Sequence, residues 1–180
     1  MRRLLVAEPE PELRKILMAE LAGKVELPVS ELEWHDTSME VQGAAVTALL
    51  SRASVVRAAL PSGTAQHYLK ARSLAEHFMN AQRPAAGMLV GVASSSPEIL
   101  RRVRTLLLAV GLHEDGLEFR DAREPAWSRG LQACAFVIAD IVTAKRLPKT
   151  CLARELRVLS ETSIEELHRF LALVTVAKVS

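Results

Sequence analysis

The stretch "VGVASSSPEILRRVRTLLLAVG", residues 90–111, reads as an apolar strand, a turn of three serines and a long helix closed by a glycine. Residues 4–23, "LLVAEPEPELRKILMAELAG", repeat that plan with acids and prolines in place of the serines. A strand that turns at once into an amphipathic helix opens a βαβ unit, so meeting it twice predicts two half-domains. The first helix follows from spacing: Leu13, Ile16, Leu17, Ala19 and Leu21 fall largely on one face before Gly23 ends it. In the second, Pro97 suits the first helical position and Glu98 stands just inside.

The rest of the chain alternates in the same way. Further strands are predicted at 44–50, 66–73, 88–94, 116–122, 133–140 and 153–160. Helices are predicted after the "SRAS" turn up to Leu60, over 73–87 leading into a connector, from Pro125 to Leu131, and over 163–175, opened by Thr162 or Ser163. Weak periodicity over 31–43 assigns no element there. The nearly continuous apolar run "ACAFVIAD" (133–140) is the mark of a parallel strand covered on both faces. The order is therefore βαβαβ, a connector, βαβαβ, then a strand and a helix. It predicts an α/β fold with parallel or mixed sheets flanked by helices: lobe one is 1–73 plus 151–180, lobe two is 87–150, and 74–86 connects them. One continuous doubly wound sheet is the competing geometry.

Composition narrows the class. Of 180 residues 49% are hydrophobic and 24% charged, the balance of a globular chain and not of a disordered one. With 4% aromatic residues the core must be aliphatic. The 23 Lys and Arg nearly cancel 21 Asp and Glu, leaving +2, and only Arg101, Arg102 and Arg104 form a dense basic block, so there is no footprint for nucleic acid. The opening "MRRLLVAEPE" is too short in apolar residues for a signal peptide and no run has the length of a membrane helix, which predicts a cytoplasmic protein and no membrane contact. Cys134 and Cys151 are then expected as free thiols. The five histidines have no metal-ligand spacing, and neither a Gly-rich phosphate loop nor a nucleophile elbow occurs. No catalytic residue, cofactor or metal is expected.

Ligands of open α/β sheets gather where strands run into helix N-termini. The serine turn, Ser94, Ser95 and Ser96, would offer amides and hydroxyls to a carboxylate or phosphate, or Ser96 would simply cap its helix. "SRAS" offers Ser51 and a cation, Arg52, which has a solvated role as its alternative. Arg120 and Arg123, at a strand end, would pair bidentately with an anion or else with Asp121 or Glu124. Asp140 and Thr143, after the most apolar strand, would bond a ligand or cap the next turn.

Two resemblances follow from these residues. The opening "LLVAEPEPELRKILMAELAG" is similar to the start of a response-regulator receiver domain, but it lacks the second acid of the magnesium pair, and the strand 44–50 runs into Ser51 in place of a phosphoacceptor Asp. Over roughly 45–175, "VRAALPSGT", "VGVASSSPEILRRVRTLLLAVGL", "RDAREPAWSRGLQACAFVIADIVTAKRLPK" and "LSETSIEELHRF" resemble the C-terminal effector-sensing region of bacterial GntR-type transcriptional regulators. That region is similar in plan to the two-lobed, periplasmic-binding-protein-like effector domain of LysR-type regulators. The resemblance implies a homodimeric sensor of a small, anionic metabolite in an interlobe cleft, with DNA contacted only through a winged helix-turn-helix absent from this chain. A receiver-like dimerisation domain without phosphorylation chemistry is the alternative.

Overall fold

A computed structural model describes residues 1–34, 37–73 and 87–176. The predicted helix and connector over 73–87 lie almost wholly outside the described residues. Two four-stranded sheets form, both parallel throughout. Contacts divide the chain into one unit of Met1–Ala71 with Val158–Ser180 and another of Arg72–Arg157.

In the first unit β1 (Arg3–Val6), α1 (Pro11–Leu21), β2 (Val29–Glu31), α2 (Thr37–Glu40), β3 (Ala44–Leu49), α3 (Ala53–Ala59) and β4 (Ala65–Leu69) follow one another. The sheet order is β2-β1-β3-β4. All six residues of β3 are buried, as a central strand covered on both faces requires. One face packs Leu5, Ala7, Val46 and Ala48 against Val56 and Leu60, the latter pair from α3 and its end. On the alternate face His67 of β4 stacks on Phe170 of α6 (Glu161–Val176), ring centroids 5.3 Å apart.

The second unit runs β5 (Val90–Ser94), α4 (Pro97–Ala109), β6 (Leu117–Asp121), β7 (Phe136–Asp140), α5 (Ile141–Ala144) and β8 (Ala153–Leu156). Its order, β6-β5-β7-β8, is the order of the first sheet. Helix α4 buries Ile99, Val103 and Leu107, a spacing of four that keeps one stripe inward.

Three expectations are corrected. The helix from Pro125 to Leu131 does not form: Ala126 (φ 53°) and Gly130 (φ 87°) adopt left-handed backbone, and three-residue bonds such as Arg129 N–H to Ala126 C=O replace helical ones. The strand 153–160 does not return to the first unit, because β8 pairs with β7 in register Val137 to Ala153. Only Val158 onward returns, held where the buried Glu20 carboxylate accepts the N–H groups of Val158 (2.6 Å) and Leu159 (2.9 Å). Neither Thr162 nor Ser163 caps α6: Ser160 does, its hydroxyl accepting the Ser163 N–H, while Ser163 Oγ accepts the Lys70 N–H at 2.8 Å. The region 31–43, whose pattern assigned no element, holds the end of β2 at Glu31 and all of α2.

Candidate functional site

Each sheet has one place where adjacent strands send their chains to opposite sides, between its first and third strands. There the carboxyl ends of β1 and β3, and of β5 and β7, open a crevice of the kind that open α/β sheets use for ligands. Among the described residues most of the buried polar side chains, Glu8, Ser94, Ser95, Ser96, Asp140 and Thr143, lie at these two points.

In the second unit β5 ends on Ser94 and β7 on Asp140. Both are fully buried. The Ser94 hydroxyl donates to Asp140 Oδ2 at 2.7 Å, and Ser94 Oγ accepts the Ser96 N–H at 3.1 Å. Asp140 Oδ1 takes the N–H groups of Val142 and Thr143, each at 2.9 Å, and the Thr143 hydroxyl donates to Oδ2 at 2.8 Å. Four donors thus satisfy one buried carboxylate, which is the condition for a charge to stay dry. Ser96 meanwhile caps α4 by accepting the Ile99 N–H. The network ties two strands, a turn and the start of α5 into one arrangement.

The first unit builds the same place from different residues. Glu8, fully buried after β1, accepts the Glu10 N–H and faces the Arg52 Nε at 3.3 and 3.4 Å. Glu10 caps α1 by accepting from the N–H groups of Glu12 and Leu13. The Arg14 guanidinium bonds the Glu8 carbonyl and pairs with Glu31 on β2 at 2.9 Å.

The structure therefore brings Ser94, Ser96, Asp140 and Thr143 together, with Ser95 buried beside them. Arg52 belongs to the other switch point, and Ser51 next to it is exposed. Arg120 pairs with Glu118 at 2.6 Å, and Arg123 with Asp121 at 2.5 Å, so both take carboxylates of their own β6 region. The Arg123 hydrogen bonds hold the Asp121 carboxyl below the usual carboxylate range. Arg146 adds a third cation on this side of the unit, 5.5 Å over the Trp127 ring, with its guanidinium on the Ala122 carbonyl.

The sequence reading missed that Glu8 and Asp140 are the charged centres of the two switch points. A signal existed: setting Pro11 on Pro97 also sets Glu8 on Ser94 and Glu10 on Ser96. Among the described residues no three His, Cys, Asp or Glu side chains are grouped to hold a metal ion, and no helix is long and apolar enough to cross a membrane. Comparison with protein-family models, with curated proteins and with solved structures finds no match to this chain.

Proposed function

We propose that the chain is the ligand-sensing effector region of a bacterial transcriptional regulator of the GntR type, cytoplasmic and homodimeric. In this reading the two units answer to the two lobes of a periplasmic-binding-protein-like plan, and DNA is contacted through a winged helix-turn-helix outside these 180 residues. The observation that carries the reading is the recurrence of one strand order in tandem, each copy with a polar switch point at its carboxyl edge. Such edges receive small molecules, and a sensor needs no reacting group there.

On this reading an anionic group of the ligand is met by Arg120 and Arg123 and not by the serine turn. The Ser94 hydroxyl is spent on the Asp140 carboxylate, which repels an anion, and that of Ser96 on its helix cap. Arg120 and Arg123 are better placed: their side chains are 39% and 50% exposed, and their present partners reach water too. Exposed pairs of this kind are worth little, so exchanging an internal carboxylate for one from a ligand costs little.

A metabolite screen read by thermal shift tests this, since a ligand that binds only the native state raises its melting temperature. The expected result is stabilisation by one class of small carboxylates or phosphates, abolished in the double variant Arg120→Gln, Arg123→Gln with the ligand-free melting temperature unchanged. Absence of any stabilising class, or an equal shift in the double variant, overturns it.

One observation favours a receiver-like interaction domain as the second reading. The first sheet runs β2-β1-β3-β4 from an acid after β1, yet β3 leads into Leu50 and Ser51 with no acid to accept a phosphoryl group. A stable ligand-independent dimer, together with an empty metabolite screen, would select it.

A further inference from the structure

Cys134 and Cys151 stand 17 positions apart in the sequence, and neither belongs to the network around Asp140. The fold of the second unit brings them together. Cys134 ends the turn Leu131–Ala133 that leads into β7, its N–H on the Leu131 carbonyl at 3.1 Å. Cys151 closes the turn before β8, its N–H on the Pro148 carbonyl at 2.9 Å. The β7 to β8 register, together with the 2.8 Å bond from Val137 N–H to the Leu152 carbonyl, lays these two lead-in segments side by side. Both thiols are half-buried and pack on the same apolar cluster of Ala93, Leu131 and Val137. Gly91 leaves the room: a Cβ there would stand 3.3 Å from Cys134 Sγ.

We propose that Cys134 and Cys151 are an oxidation-sensitive thiol pair, which a hydroperoxide converts into an intrachain disulfide. This inference stands apart from the ligand reading. Burial first, then the Glu118 carboxylate and the Cys151 sulfur, push the Cys134 thiol above the usual thiol range. A thiol shifted in this way is a poor initial nucleophile, so the first step is assigned to the other cysteine, Cys151. Its thiolate attacks one peroxide oxygen, the O–O bond breaks, and the alkoxide or hydroxide leaves and takes a proton. The product is a sulfenic acid on Cys151. The Cys134 sulfur then displaces hydroxide from it, forming the S–S bond and, with the Cys134 proton, water. Two thiols lose two electrons and two protons, and one peroxide is reduced to water and an alcohol or a second water. The closed loop carries β7, Asp140, Thr143 and α5, so oxidation fastens both ends of the segment that forms the second switch point.

Treatment of the full chain with hydrogen peroxide tests the pair. The expected product has no titratable thiol after denaturation, a mass lower by two hydrogens, no covalent dimer, and both thiols back after dithiothreitol. In Cys134→Ser the same treatment leaves a sulfenic acid on Cys151 that dimedone traps, and Cys151→Ser yields far less trapped product. The proposal is overturned if both thiols survive excess peroxide, if oxygen is added without loss of hydrogen, or if only intermolecular disulfides form.

Discussion

Glu8 and Ser94 hold one position of a repeated unit: each stands two residues before a helix cap and accepts the cap residue's N–H, from Glu10 at 3.2 Å and from Ser96 at 3.1 Å. The β1 to β3 register pairs Val6 with Thr47, and the β5 to β7 register pairs Val92 with Ile138. By that frame Leu49 is the counterpart of Asp140, and Arg52 of Thr143. The buried carboxylate follows the first strand in one copy and ends the third strand in the other. Acids in one turn and serines in the other therefore do not make one crevice acidic and the other neutral. Each holds a single buried carboxylate, neutralised by a guanidinium in the first and by four hydrogen bonds in the second.

Asp140→Ala removes an acceptor that four buried or half-buried donors share. Leaving such donors unsatisfied costs about 1–3 kcal/mol each before relaxation, so a loss of roughly 3–5 kcal/mol in urea unfolding is expected. Asp140→Asn should cost markedly less, because the Ser94 and Thr143 hydroxyls can turn to accept from the new amide. Equal costs for the two substitutions would mean that the hydrogen bonds contribute little.

The two ion pairs of the first unit should separate sharply. Arg52→Met leaves Glu8, at 0% exposure, without its guanidinium, and a loss of about 2–4 kcal/mol is expected. Lys15→Met breaks an exposed pair with Glu12 and should cost under about 0.5 kcal/mol. Similar values in denaturant titrations would show that Arg52 is not what compensates the Glu8 charge.

What the sequence made legible depended on local pattern. The strands β3, β5 and β7 are apolar on both faces, and α1 and α4 announce themselves through Pro11 and Pro97 followed by one buried stripe. What stayed hidden was set by contacts far along the chain. Strand β2 is three residues long and half-exposed, so it has no pattern of its own and exists through its register with β1. Residues 125–131 carry helix-compatible side chains, yet the backbone turns left-handed at Ala126 and again at Gly130. Strand β8 buries only Leu156 of its four residues, and nothing local says which sheet it joins. The site showed the same divide. Asp140 is a visible strand end, but its role depends on Ser94, 46 positions away.

Ala126→Gly should stabilise the fold. A non-glycine residue at φ 53° carries a steric cost of about 1–2 kcal/mol, part of which glycine returns as added freedom of the unfolded chain. The expected net gain is about 0.5–1 kcal/mol by thermal unfolding. A destabilised variant would show that Ala126 does not hold this backbone in solution.

His67 gives a pH dependence whose sign is fixed. Burial against Phe170 lowers its pKa from the ordinary value of about 6.5, Glu166 opposes the shift and Lys70 adds to it; these two face the ring as an ion pair at 3.4 Å. Above that ordinary value the ring is neutral folded and unfolded, and stability is unaffected. As pH falls below it the unfolded chain takes up the proton first, so stability declines toward acid. The His67→Gln variant should lose this part of the slope between pH 7 and pH 5 while keeping that of the carboxylates. An unchanged slope would remove His67 from the account.

Gly91→Ala tests the packing beneath β5. Gly91 has ordinary extended backbone, so the substitution acts through space alone: its Cβ would meet Leu131 Cδ2 and Val137 Cγ2 at 3.1 Å and Cys134 Sγ at 3.3 Å. All three are side-chain atoms, but Leu131 and Val137 are fully buried and have little room to yield. Overpacking of this kind costs roughly 1–3 kcal/mol. Val137→Ala removes one of the clashing methyls, so the double variant should be more stable than the sum of the two single losses by about 0.5–1 kcal/mol. Strict additivity in the denaturant cycle would mean that the sheet shifts as a body to admit the methyl, and that the close approach at Gly91 does not set the spacing of β5 and β7.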